Sequence, residues 1–186
     1  MAKLHFFYST MNAGKSTSLL QVNHNYIEKN NKTLLFLPKI AHKSSKGKIK
    51  SRIGLEAKAV IIDDNFNFKS IENLNNISCV FVDEAQFLTE KHIKELSKIV
   101  DVKNINVMCY GIRTDFKGRL FPGSRALLAL ADNIIEIKTV CRYCDKKATM
   151  VRRIDAFGNV VKTGNQILIG GNDLYESVCR KHFFNN

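Results

Sequence analysis

The chain has 186 residues, 45% of them hydrophobic, and carries a formal net charge of +12 at pH 7. That length fits one domain with a small appendage, and the composition supports an ordinary core. No apolar run approaches the roughly 18–20 residues of a membrane-spanning helix, which excludes that class.

From the amino terminus, Met1-Ala2-Lys3-Leu4-His5 leads straight into an apolar run, Leu4 to Tyr8, that reads as a short buried strand. No apolar leader precedes it, which reads as a cytoplasmic protein. Next comes Ser9-Thr10-Met11-Asn12-Ala13-Gly14-Lys15-Ser16-Thr17, in the order of a phosphate-binding loop opening a helix. Backbone N–H groups and a helix N-terminus there wrap an anionic phosphate. Lys15 would reach the β- and γ-phosphates, and the Ser16 hydroxyl would ligate Mg²⁺. The full pattern has Gly five residues before Gly14, where this chain has Ser9. A chance Gly-Lys-Ser turn is the competing reading.

Thr17 to Lys29 predicts a helix from apolar positions Leu19, Leu20, Val22 and Ile27, ended by Asn30-Asn31. Thr33 to Leu37 predicts a second buried strand closed by Pro38. Strand, helix, strand implies a parallel sheet with crossover helices. Lys39 to Gly54 differs: Lys, Ser and Gly dominate, and no acidic residue occurs between Glu28 and Glu56. It reads as an exposed, mobile loop, either a plain solvated segment or one that contacts phosphates.

Ala59 to Ile62 is a short strand candidate and Lys69 to Leu74 a short helix. Ile77 to Val82 reads as an apolar strand delivering Asp83 and Glu84 at its end. An Asp there matches the second half of a nucleoside-triphosphate site, where it holds the Mg²⁺ shell. A helix from Thr89 to Val100 follows, with Thr89 as N-cap, then a buried strand from Ile105 to Gly111. The loop from Arg113 to Gly123 places Phe116 and Phe121 among charges, to wall a pocket or to plug the edge of the core. Ser124 to Ala131 predicts a helix and Ile134 to Lys138 a last strand.

A composition shift at Thr139 divides the chain into residues 1–138, the nucleotide-binding part, and 139–186. The second part opens on Cys141-Arg142-Tyr143-Cys144 and closes on Cys179-Arg180-Lys181-His182. Three thiolates and one imidazole at this spacing make a closed tetrahedral Zn²⁺ site, structural because all four positions are filled. Cys79 and Cys109 fall inside apolar strands, so three of the five cysteines are ligands and two are packed. Reduced thiols suit the inferred compartment. Between the pairs, Ala148 to Ile154 reads as a strand, 155–159 as a hairpin turn, and Val160 to Tyr175 as an excursion whose ends the metal anchors.

Taken together, these motifs resemble the zinc-containing, tetrameric thymidine kinases, in their bacterial branch, nearly from end to end. The resemblance rests on Met11 to Thr17, Asp83-Glu84-Ala85-Gln86-Phe87, Tyr110 to Phe116, Ile169-Gly170-Gly171-Asn172 and both zinc pairs. Bacterial members of that family can carry Ser at the position of Ser9. The resemblance implies an α/β fold with a P-loop (RecA-like) parallel sheet and a small C-terminal zinc-binding lasso. It also implies transfer of the γ-phosphoryl group of ATP to the 5′-hydroxyl of thymidine or deoxyuridine, for nucleoside salvage. ATP and Mg²⁺ would be held by Ser9 to Thr17, Asp83 and Gln86. Glu84 resembles the family's general base, and Lys15 with Arg153 would neutralise phosphate charge. Thymine would lie among Met11, Phe87, Ile112, Phe116, Phe121 and Tyr175, under a lasso that includes Gln166, Ile167, Leu168, Ile169 and Gly170. A homotetramer follows from the resemblance alone, with no nucleic-acid or membrane partner.

One departure is visible. The family usually has Asp-x-Arg after the second strand, and here Ala41-His42-Lys43 stands there. Lys43 offers a point charge without the bidentate geometry of Arg, and restoring Ala41→Asp is expected to raise turnover. The charge and the cysteine pairs leave a nucleic-acid-binding ATPase as a rival, and Ala41 leaves a weakened regulatory relative. The scattered lysines, with no compact basic and aromatic stripe, argue against the first.

Overall fold

Short apolar runs alternating with amphipathic stretches produce one central sheet in the computed structural model, which describes residues 1–41, 47–167 and 174–185. In chain order the strands are β1 (Leu4–Ser9), β2 (Lys32–Pro38), β3 (Lys48–Lys50), β4 (Glu56–Lys58), β5 (Val60–Ile62), β6 (Ile77–Val82), β7 (Asn106–Ile112), β8 (Asn133–Glu136), β9 (Met150–Ile154), β10 (Val160–Val161) and β11 (Tyr175–Val178). The helices are α1 (Lys15–Glu28), α2 (Glu90–Lys103), α3 (Pro122–Leu130) and α4 (Arg180–Phe184). Six strands form the main sheet in the order β5-β2-β6-β7-β1-β8, and every neighbouring pair is parallel. Their carboxyl ends therefore share one edge, where ligands of open parallel sheets bind.

Both faces of this sheet are covered, so its central strands are nearly continuous apolar runs rather than alternating ones. On one face Phe6, Val80, Val82, Val107 and Cys109 pack with Ile93, Leu96 and Ile99 of α2 and Leu127 of α3. On the other, Leu35, Leu37, Cys79, Phe81 and Tyr110 pack with Leu19 and Leu20 of α1. Cys79 and Cys109 are wholly buried, as expected for packed thiols.

Several expectations change. Lys69 to Leu74 is not one helix but two single 3₁₀ turns, Phe68–Ser70 and Leu74–Asn76. The Asn67 side chain caps the first, Ile71 is extended, and Asn73 sits in the left-handed region at φ 59° before the second. The basic stretch after β2 is not all loop: β3 pairs with β4 as an antiparallel hairpin, and Ile49 is 1% exposed. Residues 42–46, in the same stretch, lie outside the described residues. α2 runs on to Lys103; Thr89 caps it reciprocally with His92, and Asn104 ends it in the left-handed region. α3 starts two residues early because Pro122, lacking an N–H, suits the first helical turn.

The last part of the chain forms a three-stranded antiparallel sheet, β10-β9-β11. Its β9–β10 turn is held by Asp155, whose Oδ1 accepts from the N–H groups of Phe157 and Asn159, while Gly158 takes φ 84°. A hydrogen bond from Ser177 Oγ of β11 to the Met11 carbonyl, 2.6 Å, fastens this small sheet to the loop after β1.

Candidate active site and metal centre

The turn after β1 needs left-handed backbone at two places only, Asn12 (φ 61°) and Gly14 (φ 80°). Ser9 still belongs to β1 and needs no glycine; its hydroxyl donates to the Ile137 carbonyl at 2.5 Å and fixes the start of the loop. Lys15, the first residue of α1, is buried, and its Nζ donates to the Thr10 carbonyl across the loop at 2.5 Å. Burial holds its pKa below the usual lysine value, and the charge of Glu84, then that of Asp83, opposes the shift. The Lys15 ammonium and the Glu84 carboxylate are thus within electrostatic reach of one another.

Asp83 and Glu84 follow β6, which is separated from β1 by β7 alone. Ser16 Oγ donates to Asp83 Oδ2 at 2.7 Å, joining the two halves of the expected magnesium site before any ion is bound. A hydroxyl and a buried carboxylate in contact are the hard oxygen donors that Mg²⁺ prefers. Burial, followed by repulsion from Glu84, raises Asp83 to about 7. Glu84 takes φ 52°, a left-handed conformation uncommon for a residue with a side chain. Gln86, fully buried, holds it there: Nε2 donates to Glu84 Oε2 at 2.5 Å, and Oε1 accepts from the Ile112 N–H at 3.1 Å. Gly111 makes room for this, since a Cβ there would lie 2.7 Å from Gln86 Oε1. Gln86, expected among the nucleotide contacts, thus also links Glu84 to the end of β7.

Beside the carboxylates lies a cavity of about 400 Å³ whose walls include Gln86, Phe87, Phe121, Gln166 and Ile167. Phe87 and Phe121 meet edge to face, with ring centres 5.7 Å apart. Met11, Ile112, Phe116 and Tyr175, expected around the base, are not among its lining residues. Phe116 is buried, with the Arg153 guanidinium 3.8 Å from its ring centre. Arg153 itself is directed at the lasso stem, donating to Tyr175 Oη at 2.7 Å and to the carbonyls of Asn165 and Gln166 at 3.1 and 3.4 Å. Asp115, a residue the sequence reading did not single out, accepts from Gln166 Nε2 at 2.9 Å and from the N–H groups of Lys117 and Arg119. Leu168, Ile169, Gly170, Gly171 and Asn172 lie outside the described residues, as do His42 and Lys43. Ala41 is half-buried against the Leu19 and Ile49 layer.

Cys141, Cys144, Cys179 and His182 converge, with ligand atoms all within 4.8 Å of one another. His182 Nδ1 lies 3.4 Å from the sulfurs of Cys141 and Cys179 and 3.6 Å from that of Cys144; Cys144 and Cys179 sulfurs are 3.8 Å apart. A tetrahedral zinc with bonds of about 2.0–2.3 Å spaces its ligand atoms by roughly 3.4–3.8 Å, so the four fit one ion. Arg152 braces the cluster from β9, donating to Glu176 Oε2 at 2.9 Å, Tyr143 Oη at 2.5 Å and the His182 carbonyl at 3.3 Å.

With this geometry in view, the chain matches the thymidine kinase family over residues 2–183. The chain belongs to the thymidine kinase family. Among the similar proteins, the thymidine kinase of Coxiella burnetii is 52% identical over 188 residues, spanning 98% of this chain and 95% of that one. Those of Shewanella oneidensis and Agrobacterium fabrum are each 51% identical over 187 residues, with 98% of this chain and 97% and 96% of theirs covered. Within this thymidine kinase scaffold, the contacts of Gln86, Asp115 and Ser177 had no signal in the sequence beyond their polarity. Each depends on a partner from a distant segment.

Proposed function

We propose that the enzyme transfers the γ-phosphoryl group of ATP to the 5′-hydroxyl of thymidine, or of deoxyuridine, for nucleoside salvage in the cytoplasm. The observation that carries this reading is the electrostatic coupling of Lys15 to Glu84 and Asp83, together with a cavity lined by Gln86, Phe87 and Phe121. The loop from Ser9 to Thr17 cradles the triphosphate, and Lys15 leaves the Thr10 carbonyl to meet its β- and γ-phosphates. Ser16 and Asp83 would hold Mg²⁺, which neutralises charge on those phosphates when bound. Phe87 and Phe121 form the apolar floor for the pyrimidine, with Gln166 and Ile167 on the same cavity wall. Glu84, held by Gln86, accepts the proton of the 5′-hydroxyl as the oxygen–phosphorus bond forms and the bond to the β–γ bridging oxygen breaks. Arg153 ties Asn165 and Gln166 to Tyr175, so its contribution runs through these residues and not through the phosphates.

Residues 139–186 act as a lid unit stiffened by structural Zn²⁺ on Cys141, Cys144, Cys179 and His182. A homotetramer belongs to the same reading: edge strand β8 leaves Ile134 and Ile135 47% and 37% exposed, an apolar edge that a neighbouring subunit would cover. Incubation with ATP, Mg²⁺ and thymidine is expected to yield thymidine 5′-monophosphate and ADP in equal amounts. ATP hydrolysis without nucleoside phosphorylation would reject the reading.

A further inference from the structure

Among the described cations of the basic segment after β2, none of which the mechanism above uses, Arg52 stands apart. Hairpin β3–β4 is seated on α1, the helix that begins at Lys15. Ile49 is buried in the layer that also holds Leu19 and Leu20, one turn beyond Lys15 and Ser16. The turn of the hairpin is fixed by hydrogen bonds from Ser51 N to the Leu55 carbonyl and from Leu55 N to Ser51 Oγ, 2.8 and 2.9 Å. Arg52 projects from that turn and is exposed.

The cations of the hairpin are treated differently. Lys48 and Lys50 share the carboxylate of Glu56. Arg52, among the described residues, has no carboxylate or hydrogen-bond partner, yet its charge is felt at buried Lys15. Like charges within electrostatic reach of one another repel, and a bound polyanion reverses that cost. A guanidinium also matches the oxygens of a phosphate in a bidentate manner that an ammonium does not.

We propose that Arg52 is a second cationic arm of the nucleotide site, closing on the terminal phosphate oxygens of ATP opposite Lys15. This rests on the kinase reading for the identity of the reaction, but not for the binding of a triphosphate. Arg52 touches non-bridging oxygens only, so the bonds made and broken and the proton taken by Glu84 are unchanged.

The test compares wild type with Arg52→Ala, Arg52→Lys and, as a hairpin control, Lys50→Ala. Affinities for ATP, ADP and AMP are titrated without nucleoside, and kcat and KM are measured with thymidine. For Arg52→Ala we expect ATP affinity or kcat to fall roughly 10–100-fold, the scale of a lost charge-assisted bidentate contact. AMP affinity and the KM for thymidine stay within about threefold, and Lys restores part of the loss while Lys50→Ala matches wild type. Equal losses for ATP and AMP, or no loss for either, would overturn the proposal. A wild type silent on thymidine would reject the kinase reading instead, and the nucleotide titration would still decide the role of Arg52.

Discussion

Glu84 is the residue on which the site turns, and its position is imposed by neighbours. A left-handed φ of 52° costs a side-chain-bearing residue on the order of 1 kcal/mol or more, and Gln86 with the space left by Gly111 maintains it. Its neighbour Asp83 yields a pH prediction. Asp83 is raised to about 7, well above its unfolded value, so the native state binds the extra proton between about pH 4 and 7. Raising the pH through that window ionises a buried carboxyl and lowers stability, while the proposed magnesium site needs the ionised form. Affinity for Mg²⁺–ATP is therefore expected to fall as pH drops below about 7, and titration calorimetry between pH 5.5 and 8.5 measures it. Asp83→Asn should flatten that dependence; an unchanged slope would place the titration on another group.

At the scale of elements, the strands of the main sheet were legible because burial on both faces writes them as unbroken apolar runs, such as Val80-Phe81-Val82. The phosphate loop and the carboxylate pair were legible for a related reason: each is a contiguous turn following a strand. Hairpin β3–β4 was missed because Lys48-Ile49-Lys50 offers one apolar residue in a basic segment, and only docking on α1 shows what Ile49 does. The split of residues 68–76 into two turns depends on Asn67 and Asn73, whose capping and left-handed roles need the local backbone to be seen. The direction of Arg153 toward the lasso was equally hidden, since its partners come from the far side of a hairpin. Packing of α3 against the turn Ala85–Phe87 gives a second prediction. A Cβ on Gly123 would lie 2.2 Å from the Ala85 carbonyl oxygen, so Gly123→Ala must push the helix away from Glu84's support. We expect a stability loss of about 1–3 kcal/mol in chemical denaturation, with a lower kcat in the fraction that folds.

On the scale of the whole molecule, the chain joins a large sheet with its own core to a small one that has little. Among the described residues, Cys144, Met150 and Phe183 are the apolar neighbours of Cys141, Val178 and Cys179, a small core for which metal ligation would substitute. Metal analysis is expected to return one zinc per chain. Chelation should lower the melting temperature and raise the KM for thymidine severalfold before it affects ATP binding, because Tyr175 of the lasso stem lies on the strand that leads into Cys179, whereas the phosphate loop meets that strand through the hydrogen bond from Ser177 to the Met11 carbonyl. Simultaneous loss of both affinities would mean that the metal supports the entire fold.

The central claim is that Glu84, held by Gln86 within electrostatic reach of Lys15, takes the proton of the attacking hydroxyl. Glu84→Gln keeps the shape and the hydrogen-bonding reach of the side chain and removes its basicity. With thymidine affinity measured directly by calorimetry and turnover by a coupled assay, the variant should bind thymidine within about threefold of wild type. Its kcat should fall about 10²–10⁴-fold. A variant retaining kcat within tenfold of wild type would contradict the assignment of the base and, with it, this account of the site.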